Sequence, residues 1–119
     1  MMLIGIRVLV VEDEPLLAMM VEEYLEEIGC TVAGTASRLA DALEKASTLL
    51  IDVAVLDVNL AGQMSYPVAE ELRSRHIPFV FATGYGTIGL PDGLRYARVL
   101  SKPFHLEQLG EALRIAMVG

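Results

Sequence analysis

A single cysteine, Cys30, stands in 119 residues, which excludes an intrachain disulfide and any thiolate metal cage. A lone free thiol fits a reducing compartment, so a cytoplasmic protein is expected. Basic residues are also scarce: nine Lys and Arg face sixteen Asp and Glu, the formal charge is −7, and the cations are scattered singly. Sequence-independent grip on nucleic acid needs clustered cations on phosphates, so no direct nucleic-acid contact is expected. No apolar run approaches the ~20 residues of a membrane span, and membrane insertion is not expected either. The opening MMLIGIRVLVV has no basic leader before its apolar stretch and no small-residue cleavage site after it, so it reads as a first strand. His76 and His105 are far apart and near helix ends, which suits surface or capping roles better than ligation.

What is present is a chain that can fold. With 54% hydrophobic and 21% charged residues it lies far from disordered compositions. The length suits one core, so a single domain over residues 1–119 is expected. Five Val- and Ile-rich runs, at 6–11, 31–36, 52–57, 77–83 and 96–102, read as strands. Between them lie helical periodicities. Leu17, Val21, Leu25 and Ile28 share one face of a helix over 14–28, stopped by Gly29. Ser37 is placed to cap a helix through Ser47, a third helix runs over 66–75 with Pro67 in its first turn, and a last one over 106–117. The stretch GYGTIGLPDG (84–93) is too rich in glycine for a regular fourth helix. Alternating strands and helices of this kind imply an α/β fold in three layers, a parallel sheet with helices on both faces.

In such sheets ligands bind at the carboxyl ends of the strands. Glu12 and Asp13 end the first predicted strand, Asp57 the third, Thr83 the fourth and Lys102 the fifth. Three acids and one lysine leave −2, which one divalent cation balances. Hard oxygen donors without cysteine or a usable histidine pair favour Mg2+ over zinc or copper. A carboxylate beside such an ion can act as a nucleophile toward phosphorus.

The segments VLVVEDEP, AVLDVNL, FVFATGYG and VLSKPF, in this order and spacing, resemble the receiver domain of bacterial two-component response regulators. PFVFATGYG further resembles the single-domain FATGUY subgroup, found mainly in alphaproteobacteria. The resemblance implies a flavodoxin-like (β/α)5 fold with strand order 2-1-3-4-5 and a short or irregular fourth helix. It implies that Glu12, Asp13, Asp57 and the Asn59 backbone carbonyl hold Mg2+, and that Asp57 takes a phosphoryl group from a histidine kinase. It also implies that Thr83 is the switch hydroxyl, that Lys102 contacts the phosphoryl group, and that the Lys102–Pro103 peptide is cis. Receivers usually carry an aromatic where this chain has Val99; Tyr85 is the available substitute in a switching role. The Asn59 side chain is expected at the mouth of the site, where it could tune water access.

The expected function is a phosphoacceptor of a two-component phosphorelay. Its expected partners are a sensor histidine kinase or phosphotransfer protein and a downstream protein target, and its expected state is a monomer or weak dimer. A chain of this length leaves no room for an effector domain, so its output is expected through partner contact or relay, not catalysis of its own. Two other classes compete. A phosphate-independent pseudo-receiver would be marked by loss of Asp57 or Lys102, and both are present. A flavin carrier would want a Gly, Ser or Thr loop after the first strand, where this chain has three acids. A phosphatase of the aspartyl-phosphate type would want a second Asp at position 59, where Asn stands.

Overall fold

The computed structural model describes residues 2–84 and 89–118. Among them five parallel strands form the sheet: β1 (Arg7–Val11), β2 (Thr31–Ala36), β3 (Val53–Asp57), β6 (Phe79–Thr83) and β7 (Arg98–Ser101), in the order β2-β1-β3-β6-β7. Among the described residues four α-helices connect or follow them: α1 (Pro15–Glu27), α2 (Leu39–Thr48), α3 (Tyr66–Ser74) and α4 (Leu106–Val118). Between β3 and α3 sits a small antiparallel hairpin, β4 (Asn59–Leu60) and β5 (Gln63–Met64). With the hairpin set aside, the order is the doubly wound, flavodoxin-like 2-1-3-4-5 anticipated from the sequence. The irregular fourth helix is here a single 3-10 turn, Asp92–Leu94, among the described residues.

Parity along the strands builds the layers, because successive side chains of a strand point to opposite faces. Leu9, Val11, Ala54, Leu56, Phe79 and Phe81 pack with Ala42 and Ala46 of α2 and Val68, Ala69 and Leu72 of α3. Val8, Val10, Val53, Val55, Val80 and Ala82 pack on the other face with Val21 and Leu25 of α1 and Leu109, Ala112 and Leu113 of α4. β3 is buried at all five positions, as an interior parallel strand covered on both faces must be. Gly29 ends α1 at φ +93°, and a Cβ there would meet Ile4 at 3.0 Å, so glycine answers both the left-handed turn and the close approach.

Local punctuation differs from the sequence reading in two places. Ser37 does not cap α2: the helix starts at Leu39 with Arg38 as its N-cap and no side-chain cap bond, leaving Ser37 one residue too early. Glu14, expected in the first turn of α1, is instead its N-cap residue, because Pro15 takes the first helical position. Among the described residues no helix is long and apolar enough to cross a membrane.

Candidate functional site

The connection leaves β1 toward β2 on one side and enters β3 on the other, so a crevice opens between the carboxyl ends of β1 and β3. The polar residues singled out in the sequence converge there. The Glu12 N–H donates to the Ala36 carbonyl at 3.0 Å and holds this residue in line with β1. Asp57 is the last residue of β3, in register with Ala82 of β6. Lys102 follows β7, its N–H donating to the Thr83 carbonyl at 2.9 Å, which ties the lysine to the end of β6. The Lys102–Pro103 peptide is cis.

Ligand-type oxygens of Glu12, Asp13 and Asp57 lie within 4.8 Å of one another. The Lys102 ammonium donates to Glu12 Oε1 at 2.9 Å and pairs with Asp57 Oδ1 at 3.3 Å. Glu12, Asp57 and Thr83 are buried. Glu12 Oε2 accepts the Glu14 N–H at 3.2 Å, so both oxygens of this carboxylate are engaged. Asp13 Oδ2 accepts the Ala61 N–H at 3.1 Å, a contact from the hairpin.

Crowding of like charge in a sheltered crevice changes proton affinities. Burial, and then the neighbouring Glu12, push the Asp57 carboxyl up to about 7. Asp13 moves the other way: burial pushes it up, but hydrogen bonds with Asp57, Glu12 and the Ala61 N–H outweigh that and hold it below the usual range. Burial would lower Lys102, yet its hydrogen bond to Glu12 and the charges of Asp57 and Glu12 keep the ammonium above its ordinary value. Without a cation the crevice therefore relieves its excess charge by retaining a proton at Asp57 near neutrality.

Residues 8–114 match the response regulator receiver domain family. The chain belongs to that family. This receiver domain is similar to SdrG from Sphingomonas melonis Fr1, with 45% identity and a TM-score of 0.84 over 97% of this chain and 98% of that one. It is similar to the BeF3-activated conformation of SdrG, from Pseudomonas melonis Fr1, with 42% identity and a TM-score of 0.77 over 98% of this chain and 99% of that one. Among curated relatives, the transcriptional regulatory protein PdtaR of Mycobacterium tuberculosis is 31% identical over 115 residues, covering 93% of this chain and 56% of PdtaR. The receiver thus spans about half the length of the curated relatives it matches.

Glu12, Asp13, Asp57, Thr83 and Lys102, expected at the carboxyl ends of the strands, lie there in the fold. Asn59 lies two residues beyond Asp57 at the start of the hairpin, with its side-chain Oδ1 accepting the Gly62 N–H at 2.7 Å, so this side chain is engaged in the turn. Tyr85, weighed as a switching residue, lies outside the described residues. The hairpin itself escaped the sequence reading, and with it the Ala61 N–H that reaches Asp13. A hairpin signal was present only in part: Ala61-Gly62 supplies one of the two residues at ease with positive φ that such a turn favours.

Proposed function

We propose that this receiver accepts a phosphoryl group on Asp57 from a phosphohistidine and thereby changes its contact with a downstream protein. The observation that carries the reading is the convergence of three carboxylates and one ammonium at the sheet's switch point. Glu12, Asp13, Asp57 and the Asn59 backbone carbonyl would hold Mg2+. The donor set suits it: all oxygen, no sulfur, and a net −2 that a divalent ion balances. When bound, Mg2+ supplies positive charge against the phosphoryl oxygens and lowers the proton affinity of neighbouring carboxylates.

Each side chain has a task in the transfer. A deprotonated Asp57 oxygen forms the new O–P bond as the N–P bond to the donor imidazole breaks; the electron pair stays on that nitrogen, which then takes a proton. Lys102, already 3.3 Å from Asp57 Oδ1, is placed to follow the developing charge on the phosphoryl oxygens. Thr83, buried at the end of β6, would answer the new group with its hydroxyl. That BeF3 activates SdrG supports this reading, as does the match of PFVFATGYG to the FATGUY pattern.

We further propose that the 1–119 chain works as one unit in the cytoplasm. Its upstream partner would be a sensor histidine kinase or phosphotransfer protein, it would be a monomer or weak dimer, and it would have no catalytic turnover of its own beyond this transfer. The test is a titration of the protein with beryllofluoride and Mg2+ followed by amide resonances. Shifts centred on Asp57, Thr83 and Lys102 are expected; an unchanged spectrum would overturn the assignment.

A further inference from the structure

We infer that the β4–β5 hairpin is a positioning element for the divalent cation, with the Ala61 main-chain N–H setting the rotation of the Asp13 carboxylate. The inference rests on the reading of the site given above. Asp13 sits on the loop after β1, only partly buried, and its Oδ2 accepts the Ala61 N–H at 3.1 Å across 48 residues of sequence. A neutral donor on one oxygen leaves the carboxylate charge in place and further lone pairs for a cation. It also fixes which way the group faces, and an oxygen of Asp13 then lies within 4.8 Å of those of Glu12 and Asp57.

The hairpin is built to hold that donor still. Leu60 is buried in the core, and the Ser65 N–H donates to the Val58 carbonyl at 2.8 Å, closing the base. At the tip, Ala61 has φ +52° and Gly62 φ +93°, the pair of left-handed residues of a type I′ turn. For alanine that conformation costs roughly 1–2 kcal/mol relative to right-handed backbone. The backbone strain thus falls on the residue whose N–H reaches Asp13, and an outlier placed at a ligand is a pointer to a role there. Because the hairpin starts two residues after Asp57 and its tip donates to Asp13, it joins the carboxyl ends of β3 and β1 through one turn.

Partners that orient a metal ligand typically govern affinity by 10–100-fold. Mg2+ titrations of the full chain, followed by amide resonances, would be run on wild type, Ala61→Gly, Ala61→Pro and Gly62→Val, with each variant's metal-free melting measured alongside. Ala61→Gly keeps the N–H and relieves the strain, so affinity within about twofold of wild type, or tighter, is expected. Ala61→Pro removes the N–H and should weaken Mg2+ by about 10–100-fold. Gly62→Val keeps every donor but strains the turn at φ +93°, with a Cβ that meets no atom within 4 Å, and should weaken binding in the same direction. A folded Ala61→Pro that binds Mg2+ like wild type overturns the inference.

If Ala61→Pro fails to fold, Gly62→Val and amide hydrogen exchange at Ala61 decide it. Protection that deepens with Mg2+ supports the role, and exchange at the rate of an open loop refutes it. Wild type that binds no Mg2+ would instead sink the reading of the site, whereas wild-type binding with indifferent variants sinks only this inference.

Discussion

Replacing Asp57 by Asn should stabilise the metal-free protein above neutral pH, although it removes the proposed acceptor. The Asp57 carboxyl is raised from its ordinary 3.8 to about 7, first by burial and then by Glu12. The folded state consequently binds a proton more tightly than the unfolded chain, so the associated stability is fully present below about pH 4 and is lost as pH rises through about 7. A shift of about three units corresponds to about 4 kcal/mol by pH 8, at 1.36 kcal/mol per unit. Asn occupies nearly the same volume and carries no charge, so the variant escapes this loss. For a domain of this size such a difference appears as roughly 10–15 °C in melting temperature. Thermal melts in EDTA at pH 5 and pH 8 read it directly. The Asn variant should melt higher at pH 8, and the gap should be less than half as large at pH 5, where the unfolded chain has already released the proton that folded Asp57 keeps. Added Mg2+ should raise wild type at pH 8 and narrow the gap, since a ligand that binds only the folded state stabilises it. An Asn variant less stable than wild type at pH 8, or a gap of equal size at pH 5, would refute the reasoning.

Two further outcomes follow from the same crevice. Glu12→Gln removes the neighbour that, after burial, does most to raise Asp57, so the Asp57 titration followed by carboxyl 13C resonances should move down toward the ordinary carboxylate range; no movement would mean that burial alone sets it. Lys102→Ala strips the only cation within reach of Glu12 and Asp57 among the described residues, and should slow phosphoryl uptake by about 10²–10³-fold, measured as the initial rate of mass gain with a small-molecule phosphodonor.

Much of this arrangement was legible in the sequence because its strands are nearly pure. Val8 to Val11, Val53 to Leu56 and Phe79 to Ala82 are unbroken apolar runs, so each ends visibly where a polar residue begins, and those residues are the ones the fold gathers. The helices were legible for a different reason: Val21 and Leu25 fall on one face while the glutamates of α1 take the other. What stayed hidden was local competition at element ends. Ser37 carries the chemistry of a cap, yet Arg38 ends the extended backbone at φ −130° and ψ 154°, and the helix begins only after it. The hairpin at Asn59–Met64 is two residues per strand, too short for alternation to register, and its turn uses alanine where asparagine or aspartate would have signalled it. The contact from Ala61 to Asp13 spans 48 positions, and no local pattern can announce such a pairing.

Intact-mass measurement after incubation with acetyl phosphate, with and without Mg2+, is the sharpest test of metal-assisted phosphoryl transfer to Asp57. Wild type should gain one phosphoryl unit only when Mg2+ is present, and Asp57→Asn should gain none. A gain that persists in Asp57→Asn, or that is indifferent to Mg2+ in wild type, would contradict it.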